Sequence, residues 1–353
     1  MADDFIKDLC ERVKDHAARK APLAIRGGGT KDFYGAPAKG EPLAMAGYAG
    51  IVAYEPRELV LVVKAGTRLA DIDAALAAQG QMLAVEPPRF GEAATIGGTV
   101  ACNRSGPRRP YAGAARDFVL GARIVNGKGE DLSFGGRVIK NVAGYDVSRL
   151  LAGSLGTLGV LAEVTLKVLP RPMAEQTLVF ELGESDAITR LNQWGGQPLP
   201  ISASFWHQGR LWLRLSGARA AVEAARGKLG GTLAVDAEEH WISVREQTHP
   251  AFAGQPLWRL ALPSTAPDAG LDGLRAIEWG GAQRWYAGEL AAVRGAAARL
   301  GGHAVLYRAP ESLRCREGAF APLAPAMLAL HRRLKKSFDP RGILNPGRLY
   351  AEF

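Results

Sequence analysis

Apolar and polar positions along the first half of the chain follow two periods. A helical period over residues 3–19 predicts an amphipathic helix, and a second helix is predicted to end just before Gly80. Short apolar or alternating runs predict strands at residues 22–25, 51–54, 59–64, 118–125 and 160–169. Asn126-Gly127 follows one of these runs and predicts a tight hairpin. Pro170-Arg171-Pro172 ends the last run and predicts a domain boundary near residue 173.

The pattern changes after this boundary. Alternating runs predict strands at residues 176–181, 201–206, 210–216, 256–262, 283–287 and 303–307. Alanine-rich helical patterns separate some of them, at residues 218–229 and 288–300. We therefore expect residues 174–310 to form an α+β domain, an antiparallel sheet with helices on one face. Six tryptophans of this region are expected in its core rather than against a substrate, namely Trp194, Trp206, Trp212, Trp241, Trp258 and Trp285.

Length and composition indicate a soluble two-domain protein. The chain has 353 residues, of which 47% are hydrophobic and 22% charged. It has no apolar run long enough to span a bilayer and no apolar signal core at its N-terminus, so a cytoplasmic location is expected. Its three cysteines, Cys10, Cys102 and Cys315, are far apart, which excludes a disulfide framework or a CxxC metal site.

The charge balance of 44 basic against 35 acidic residues, +9, raises the question of nucleic-acid binding. Basic residues form no run of five and do not interleave with aromatic residues, so this function is disfavoured. The densest cluster is Arg104, Arg108, Arg109 and Arg116. It is compatible with an anionic ligand, an acidic partner or solvated loop arginines. The cluster at residues 332–336 predicts a solvated helix face.

Glycine is the composition's clearest departure from average, at 43 of 353 residues, or about 12% against a usual value of about 7%. Three glycine-rich loops, at residues 26–31, 95–106 and 153–159, lie next to predicted strands. Bare backbone N–H groups in such loops can surround an anion. A plain turn or a close-packed helix would explain any one loop. A ligand with a diphosphate and planar rings explains all three. Neither GxGxxG nor the P-loop pattern occurs.

Four segments in order resemble the vanillyl-alcohol oxidase superfamily of FAD-linked oxidases. They are AIRGGGTK (24–31), ATIGGTVACNRSGPRRPYAGAARDFVLG (94–121), KNVAGYDVSRLLAGSLGTLGVLAEVTLKVLP (140–170) and FDPRGILNPG (338–347). Within the superfamily, the second and third segments look most like FAD-binding subunits of bacterial glycolate oxidases. The resemblance implies a two-subdomain FAD-binding domain at 1–173, a smaller α+β cap domain at 174–310 and a C-terminal segment, 311–353, that returns to the first domain.

The resemblance also implies which residues bind FAD. The pyrophosphate loop corresponds to Arg26, Gly27, Gly28, Gly29, Thr30 and Lys31. The second FAD loop and its approach correspond to Pro88, Thr95, Ile96, Gly97, Gly98, Cys102, Asn103, Ser105 and Gly106. Further candidates on the ribityl, adenine and ring sides are Asp117, Val119, Lys140, Tyr145, Val160 and Asn345. Lys140 is a candidate cation beside the reduced flavin, with a plain surface lysine as the alternative.

Two features common in the superfamily are missing. The first loop has no histidine for covalent attachment, and Cys102 has no partner for such chemistry, so we expect non-covalent FAD. The GDGNxH-type metal motif of the 2-hydroxy-acid dehydrogenases is also absent, and His303 lacks the partners that a metal ion needs. We therefore expect no metal site. No histidine or tyrosine stands out as a catalytic acid or base.

The resemblance implies an oxidoreductase subunit acting on glycolate, in complex with a second flavin subunit and an iron–sulfur subunit. Partner subunits would also be the route by which the chain reaches the inner face of a membrane. Because the metal motif is absent, oxidation of the hydroxy acid is expected in the sister subunit, with this chain relaying electrons or stabilising the assembly. Two alternatives stay open, a self-sufficient FAD oxidase of another hydroxy acid or sugar alcohol and a non-catalytic structural subunit.

Overall fold

The computed structural model describes residues 2–136, 146–288 and 290–353. The chain forms two compact units, each built from more than one segment of the sequence. The first unit contains Met1–Arg104, Ala114–Pro170 and Glu311–Phe353, and the second contains Ser105–Gly113 and Arg171–Pro310. The candidates Lys140 and Tyr145 lie outside the described residues.

The first unit combines short strands with helices at both ends of the sequence. Its strands are β1 (Leu23–Arg26), β2 (Glu41–Ala44), β3 (Ile51–Glu55), β4 (Val60–Lys64), β5 (Gln81–Met82), β6 (Val119–Val125), β7 (Asp131–Gly135), β8 (Val160–Lys167) and β9 (Leu169–Pro170). Its helices are α1 (Ala2–Arg19), α2 (Leu69–Ala77), α3 (Ile96–Cys102), α5 (Val147–Leu151), α10 (Glu311–Glu317) and α11 (Pro325–Phe338). The remaining short helix, α4 (Arg109–Ala112), belongs to the second unit.

An antiparallel sheet in the order β3-β4-β8-β6-β7 forms the centre of the first unit. Its middle strands β4 and β8 read as continuous apolar runs because both of their faces are buried. Beside it, β1 pairs in parallel with β2 and, through a single bridge at Leu23, with Leu344. Ile6, Leu9 and Val13 of α1 pack into the same core as Leu344, so both ends of the chain support β1.

The second unit contains the remaining strands and helices. Its strands are β10 (Ala174–Glu181), β11 (Ile201–His207), β12 (Arg210–Gly217), β13 (Thr232–Leu233), β14 (Leu257–Ala261), β15 (Leu274–Glu278), β16 (Gln283–Tyr286) and β17 (His303–Arg308). Its longer helices are α6 (Glu184–Gly195), α7 (Arg219–Leu229), α8 (Ala237–Glu246) and α9 (Leu290–Arg299). In the described part of the chain the strands form one antiparallel sheet in the order β13-β10-β12-β11-β15-β16-β14-β17.

Helices cover this sheet on both sides. Apolar residues of α6 and α7 pack against alternate residues of β12, Leu211, Leu213 and Leu215, in one core. On the opposite face His240 of α8 stacks on Trp212 with ring centroids 3.8 Å apart. The α+β class with an antiparallel sheet is confirmed, but α8 corrects the expectation that helices cover one face only. Its Glu238, Glu239 and Arg245 gave a mixed pattern in the sequence that predicted no helix.

The six tryptophans expected in the core of this region are mostly buried. Five of them are at most 8% exposed, namely Trp194, Trp206, Trp241, Trp258 and Trp285. Trp212 is half-buried, because the His240 ring covers one face of its indole. These side chains therefore stabilise the second unit rather than line a binding surface.

The segment Ser105–Gly113 belongs to the second unit, although the sequence-based boundary at residue 173 placed it in the first domain. Three contacts explain this. The Arg108 guanidinium lies 2.8 Å from a Glu175 carboxylate oxygen. The Arg109 guanidinium lies over the Trp279 ring, 4.5 Å from its centroid, and the Trp279 indole N–H donates to the Gly106 carbonyl at 3.2 Å. Arginines of the densest basic cluster are thus engaged within this unit.

The hairpin between β6 and β7 is wider than the Asn126-Gly127 dipeptide predicts. Residues 126–130 connect the strands, and the Asn126 side-chain oxygen accepts hydrogen bonds from the backbone N–H groups of Lys128 and Glu130. The Gly127 N–H instead donates to Phe338 of α11 at 2.9 Å. Tertiary contact with α11 therefore replaces the two-residue turn. Across the described ranges, no helix is both long enough and apolar enough to cross a membrane.

Candidate functional site

An open cleft of about 700 Å³, counting the space at its mouth, lies within the first unit. Eleven predicted residues line it, namely Arg26, Gly27, Gly28, Gly29, Thr30, Lys31, Thr95, Gly97, Gly98, Cys102 and Asn345. All three glycine-rich loops contribute, the third through Leu155, Gly156 and Gly159.

The first loop leaves β1 and curls back on itself. Gly29 has a φ of +73°, a left-handed backbone conformation that favours glycine, and an added Cβ would have to displace the Arg26 guanidinium, 2.3 Å away. Arg26 in turn pairs with Asp32 at 2.6 Å. The Gly29 carbonyl accepts from the Asp32 N–H at 3.2 Å, which closes the turn.

The backbone N–H groups of Gly27, Gly28 and Gly29 make no hydrogen bond to any residue within 2–136, 146–288 and 290–353. Backbone donors of folded proteins are almost always satisfied, by protein, water or ligand. Successive backbone donors without protein partners are a feature of loops that bind phosphate groups. The loop is therefore a candidate anion site formed by the main chain.

The second loop reaches the cleft as the start of α3. Backbone bonds from the Ile96 N–H to Thr67 and from the Gly97 N–H to Ala65 hold it against the β4–α2 connection. An added Cβ on Gly97 would lie 2.7 Å from the Ala65 Cβ, so this glycine permits close packing. A Cβ on Gly98 would meet only the Thr95 hydroxyl, at 3.3 Å, and would otherwise occupy open space on the cleft side.

The third loop and the C-terminal segment close the cleft from the other side. The Asn345 amide N–H₂ donates to the Leu155 carbonyl at 2.6 Å, and its oxygen accepts from the Ile25 N–H at 2.7 Å. Asn345 thus lines the cleft while its side chain joins β1 to the third loop. Lys335, 5% exposed, donates to the Thr157 and Leu344 carbonyls at 2.8 and 2.9 Å and pairs with Asp339 at 2.7 Å.

Cations dominate the charge of the cleft. Arg26, Lys31 and Arg348 line it against one carboxylate, Asp32. Lys31 is 6% exposed and Arg348 is 8% exposed, so both charges act in a partly desolvated setting where they are screened little by salt. Burial lowers the pKa of Arg348, and the neighbouring Asp32 opposes that shift. The net charge of these four side chains, +2, suits a diphosphate.

Cys102 lines the cleft, and its thiol is not reactive. Burial raises its pKa, and the nearby cations Lys31, Arg348 and Arg104 offset only part of that shift. The thiol therefore stays protonated at neutral pH. No histidine lines the cleft in the described part of the chain. This chemistry agrees with non-covalent FAD, which stays a prediction.

Eight other predicted residues lie outside the cleft lining. They are Pro88, Ile96, Asn103, Ser105, Gly106, Asp117, Val119 and Val160. For Val160 the reason is strand alternation, since Gly159 and Leu161 face the cleft while Val160 points into the core of the first unit. Asn103 and Asp117 bond locally to the N–H groups of Arg116 and Ala114. Ser105 and Gly106 belong to the second unit.

Sequence reasoning missed two charged residues of the cleft, Asp32 and Arg348. Asp32 follows directly after the first loop. Its position six residues after Arg26, with opposite charge, could have indicated that the two side chains pair. Arg348 comes one residue after the FDPRGILNPG segment, so nothing in a linear pattern pointed to it. Its guanidinium donates to the Ala36 carbonyl at 2.9 Å, which fixes it beside the cleft.

The residues present fit FAD. Bare N–H groups and buried cations match its diphosphate, and the open space beside Gly98 is a cradle that a side chain would fill. When bound, FAD supplies the capacity to accept two electrons from a substrate. The side chains of the cleft would bind and orient such a group. Among the described residues, the carboxylate that lines the cleft, Asp32, is paired with Arg26.

Comparison with known families agrees with this reading of the cleft. A family model described as "FAD binding domain" matches residues 5–135. A second one, described as "FAD linked oxidases, C-terminal domain", matches residues 322–349. These two stretches contain the first two glycine-rich loops and the segment around Asn345.

Among solved structures, the chain is similar to 4-ethylphenol oxidase from Gulosibacter chungangensis in its isoeugenol complex. The TM-score is 0.68 at 15% sequence identity, covering 98% of this chain and 88% of that one. At this identity the likeness concerns the fold alone.

Two curated relatives are closer in sequence. The glycolate oxidase subunit GlcD of Bacillus subtilis (strain 168) is 32% identical over 196 residues, which is 54% of this chain and 42% of GlcD. The glycolate oxidase subunit GlcE of Escherichia coli (strain K12) is 46% identical over 352 residues, 99% of this chain and 98% of the relative. The chain therefore belongs to the GlcE family of glycolate oxidase subunits, FAD-linked oxidoreductases with the vanillyl-alcohol oxidase fold.

Proposed function

We propose that this chain is one of two flavin-carrying subunits of a glycolate oxidase complex, which oxidises glycolate to glyoxylate. The observation that carries the proposal is the cationic, glycine-lined cleft in a chain similar to GlcE over nearly its whole length. In that oxidation glycolate loses two electrons and two protons, and FAD is the group that takes up the electrons.

Within the cleft, the N–H groups of Gly27, Gly28 and Gly29 hold the pyrophosphate, and Lys31 and Arg348 balance its charge. The start of α3, at Thr95, Gly97 and Gly98, forms the wall along which the cofactor passes. Asn345 keeps β1 and the third loop at a fixed spacing. The residues outside the cleft, such as Asp117 and Val119, support it through the β6 end of the central sheet.

The complex also contains a second flavin subunit and an iron–sulfur subunit. The chain's cysteines, at positions 10, 102 and 315, are too far apart in sequence for a CxxC-type cluster motif. In this proposal the electrons accepted here leave to another chain of the complex. The assembly works in the cytoplasm. Partner subunits place it at the inner face of the membrane.

Oxidation of the hydroxy acid takes place in the sister flavin subunit, and this chain relays electrons through its own FAD. The absence of the GDGNxH-type motif supports this division of work. The test has two parts. Purification from the native host should give a yellow complex with two further subunits, and the isolated, FAD-loaded chain should not be reduced by glycolate under anaerobic conditions at a catalytic rate.

The outcomes separate the parts of the proposal. Rapid bleaching of the isolated chain by glycolate would assign substrate oxidation to this subunit and contradict the relay. A colourless chain that binds no added FAD would contradict the cofactor role itself. Peroxide formation by the lone chain from another hydroxy acid would favour the self-sufficient oxidase.

A further inference from the structure

Helix α11 and the cleft at its carboxyl end carry a cluster of unpaired positive charge. The fourteen residues Pro325–Phe338 contain no aspartate or glutamate. Arg332, Arg333 and Lys336 are exposed on this helix, and Arg341 is exposed just beyond it. In the described part of the chain none of these four cations makes a salt bridge. We call the exposed residues Met327, Leu330, Arg332, Arg333, Lys336 and Arg341 the α11 surface.

Several other surface arginines are neutralised by carboxylates. Arg12 pairs with Glu41, Arg68 with Asp71 and Arg210 with Glu181, each within 3.0 Å. Among the described residues, no carboxylate pairs with any of the four cations of the α11 surface.

Like charges at helical spacing oppose folding. Arg332 and Lys336 are four residues apart on one helix face, and Arg333 and Lys336 are three apart, which destabilises a helix by a few tenths of a kcal/mol per pair. The helix dipole favours Lys336 in the last turn, but it reaches neither Arg332 nor Arg341. Because no carboxylate of the described residues forms a salt bridge with these cations, a negatively charged binding partner would stabilise them further.

The shape of this region provides a place for such a partner. An open cleft of about 780 Å³ lies at the carboxyl end of α11, lined by Arg332, Lys336, Arg341, Gly342 and Phe353 among others. Its carboxylates are Asp339, which is already paired with Lys335, and Glu352.

Two apolar side chains extend the charged region. Met327 and Leu330, each 46% exposed, lie three residues apart, on neighbouring turns of the helix. A combination of arginine, methionine and exposed apolar area is typical of protein–protein interfaces. Two half-exposed apolar residues are too few for the wide apolar face with which helices bind a lipid surface. The features therefore favour a protein over a membrane.

We propose that the α11 surface docks an acidic surface of a partner subunit of the complex. This inference rests on the proposed function, which requires partners to receive electrons. Carboxylates of the partner would neutralise Arg332, Arg333, Lys336 and Arg341, while Met327 and Leu330 would enter an apolar contact at one end. Charge pairs of this kind raise the association rate and make binding sensitive to salt.

The test uses the full chain co-expressed with the second flavin subunit and the iron–sulfur subunit of its own host. The charge-reversal variant Arg332→Glu/Arg333→Glu should recover at least tenfold less partner than the wild type. Its FAD content and melting temperature should match the wild type, because neither residue lines the FAD cleft. Met327→Ala/Leu330→Ala should lose partner several-fold and should retain the salt dependence of the wild type.

A matched control places the same reversal on another helix end. Arg226→Glu/Lys228→Glu alters two exposed cations in the last turn of α7 and should leave partner recovery unchanged. If this control loses as much partner as the α11 variant, the loss depends only on the net charge of the chain, and the inference is overturned. Undiminished recovery with the α11 variant would overturn the docking site alone, whereas a wild-type chain that recovers no partner would contradict the proposed function as well.

Binding to vesicles that contain phosphatidylserine tests whether the α11 surface binds a membrane instead of a protein. If Arg332→Glu/Arg333→Glu abolishes vesicle binding and leaves partner recovery intact, the surface serves a membrane and the inference is wrong. Absence of vesicle binding by the wild type, together with loss of partner in the variant, supports the protein interface.

Discussion

The first unit contains no tryptophan, whereas the second unit contains all seven of the chain. Aromatic side chains fill the interior of the second unit, where Trp258 and Trp285 are fully buried. The first unit instead places glycines where its loops meet a cleft. A cleft lined by glycine backbone leaves room and hydrogen-bond donors for a ligand. Buried indole rings pack against one another and leave no such space. The comparison indicates that the first unit is completed by a cofactor, while the second unit is stable through its own packing.

The largest expected effect comes from Lys335, whose charge joins the third loop to the C-terminal segment in the first unit. Lys335→Met leaves Asp339, 2% exposed, without its cation and should lower the free energy of unfolding by about 3–5 kcal/mol. Urea unfolding should show early loss of flavin with little change in tryptophan fluorescence. Lys336→Met, next to it and exposed, is the control. If flavin loss and tryptophan fluorescence shift equally, the two units unfold together, and the proposed difference between them is wrong.

Gly98 separates cofactor binding from folding. Gly98→Val should weaken FAD binding by roughly 10–100-fold, about 1.4–2.7 kcal/mol, because the side chain enters the cleft. Stability without FAD should change by less than about 1 kcal/mol, since the Cβ of the new side chain meets only the Thr95 hydroxyl, at 3.3 Å. Titration of apoprotein with FAD measures the first quantity and urea unfolding the second. Gly47→Ala, exposed with open space around it, should change neither.

Lys31 tests the electrostatic part of the account. Lys31→Met should weaken FAD binding about tenfold, because a partly desolvated cation beside a phosphate contributes about 1.5–3 kcal/mol and some of this is replaced by solvent. Titration of the apoprotein with FAD measures this change. Arg57→Gln, an exposed cation outside the cleft, should leave the affinity unchanged. Unaltered affinity in the Lys31 variant would place the diphosphate elsewhere.

His240 provides a smaller effect in the second unit, as a dependence on pH. Burial, and then the neighbouring His249, lower its pKa from 6.5 to about 3. The unfolded chain therefore binds more protons between these values, so stability falls as pH drops below 6.5. At pH 5.5 the loss should be about 1 kcal/mol relative to neutral pH. His240→Phe should flatten this part of the curve, followed by tryptophan fluorescence; an unchanged slope would show that another group is responsible.

Strands were the elements that the sequence predicted best. Those with a clear apolar run, such as β4 and β8, lie within two residues of their predicted positions. Strand β15 was missed because it is short, and helix α6 because polar and charged residues separate its apolar ones. Contacts distant in sequence decided the rest. Ser105–Gly113 joins the second unit through Glu175 and Trp279, partners that no local pattern reveals.

The candidate site was predictable where chemistry depends on the backbone. Glycines in a loop after a strand leave backbone N–H groups uncovered by side chains, and this does not depend on the rest of the fold. Gly27, Gly28 and Gly29 do line the cleft. Residues within strands were harder, since a one-residue step reverses the face, as for Val160 beside Leu161. Arg348 could not be found from the sequence because the fold of the C-terminal segment places it there.

The central claim, that the first unit binds FAD through its glycine loops, is tested most directly by amide hydrogen exchange with and without FAD. We expect slower exchange at residues 26–31 and 95–98 when FAD is added, because those N–H groups line the cleft or start α3 beside it. Strands β11 and β12 of the second unit should be unchanged. FAD binding with no protection at residues 26–31 would contradict the account.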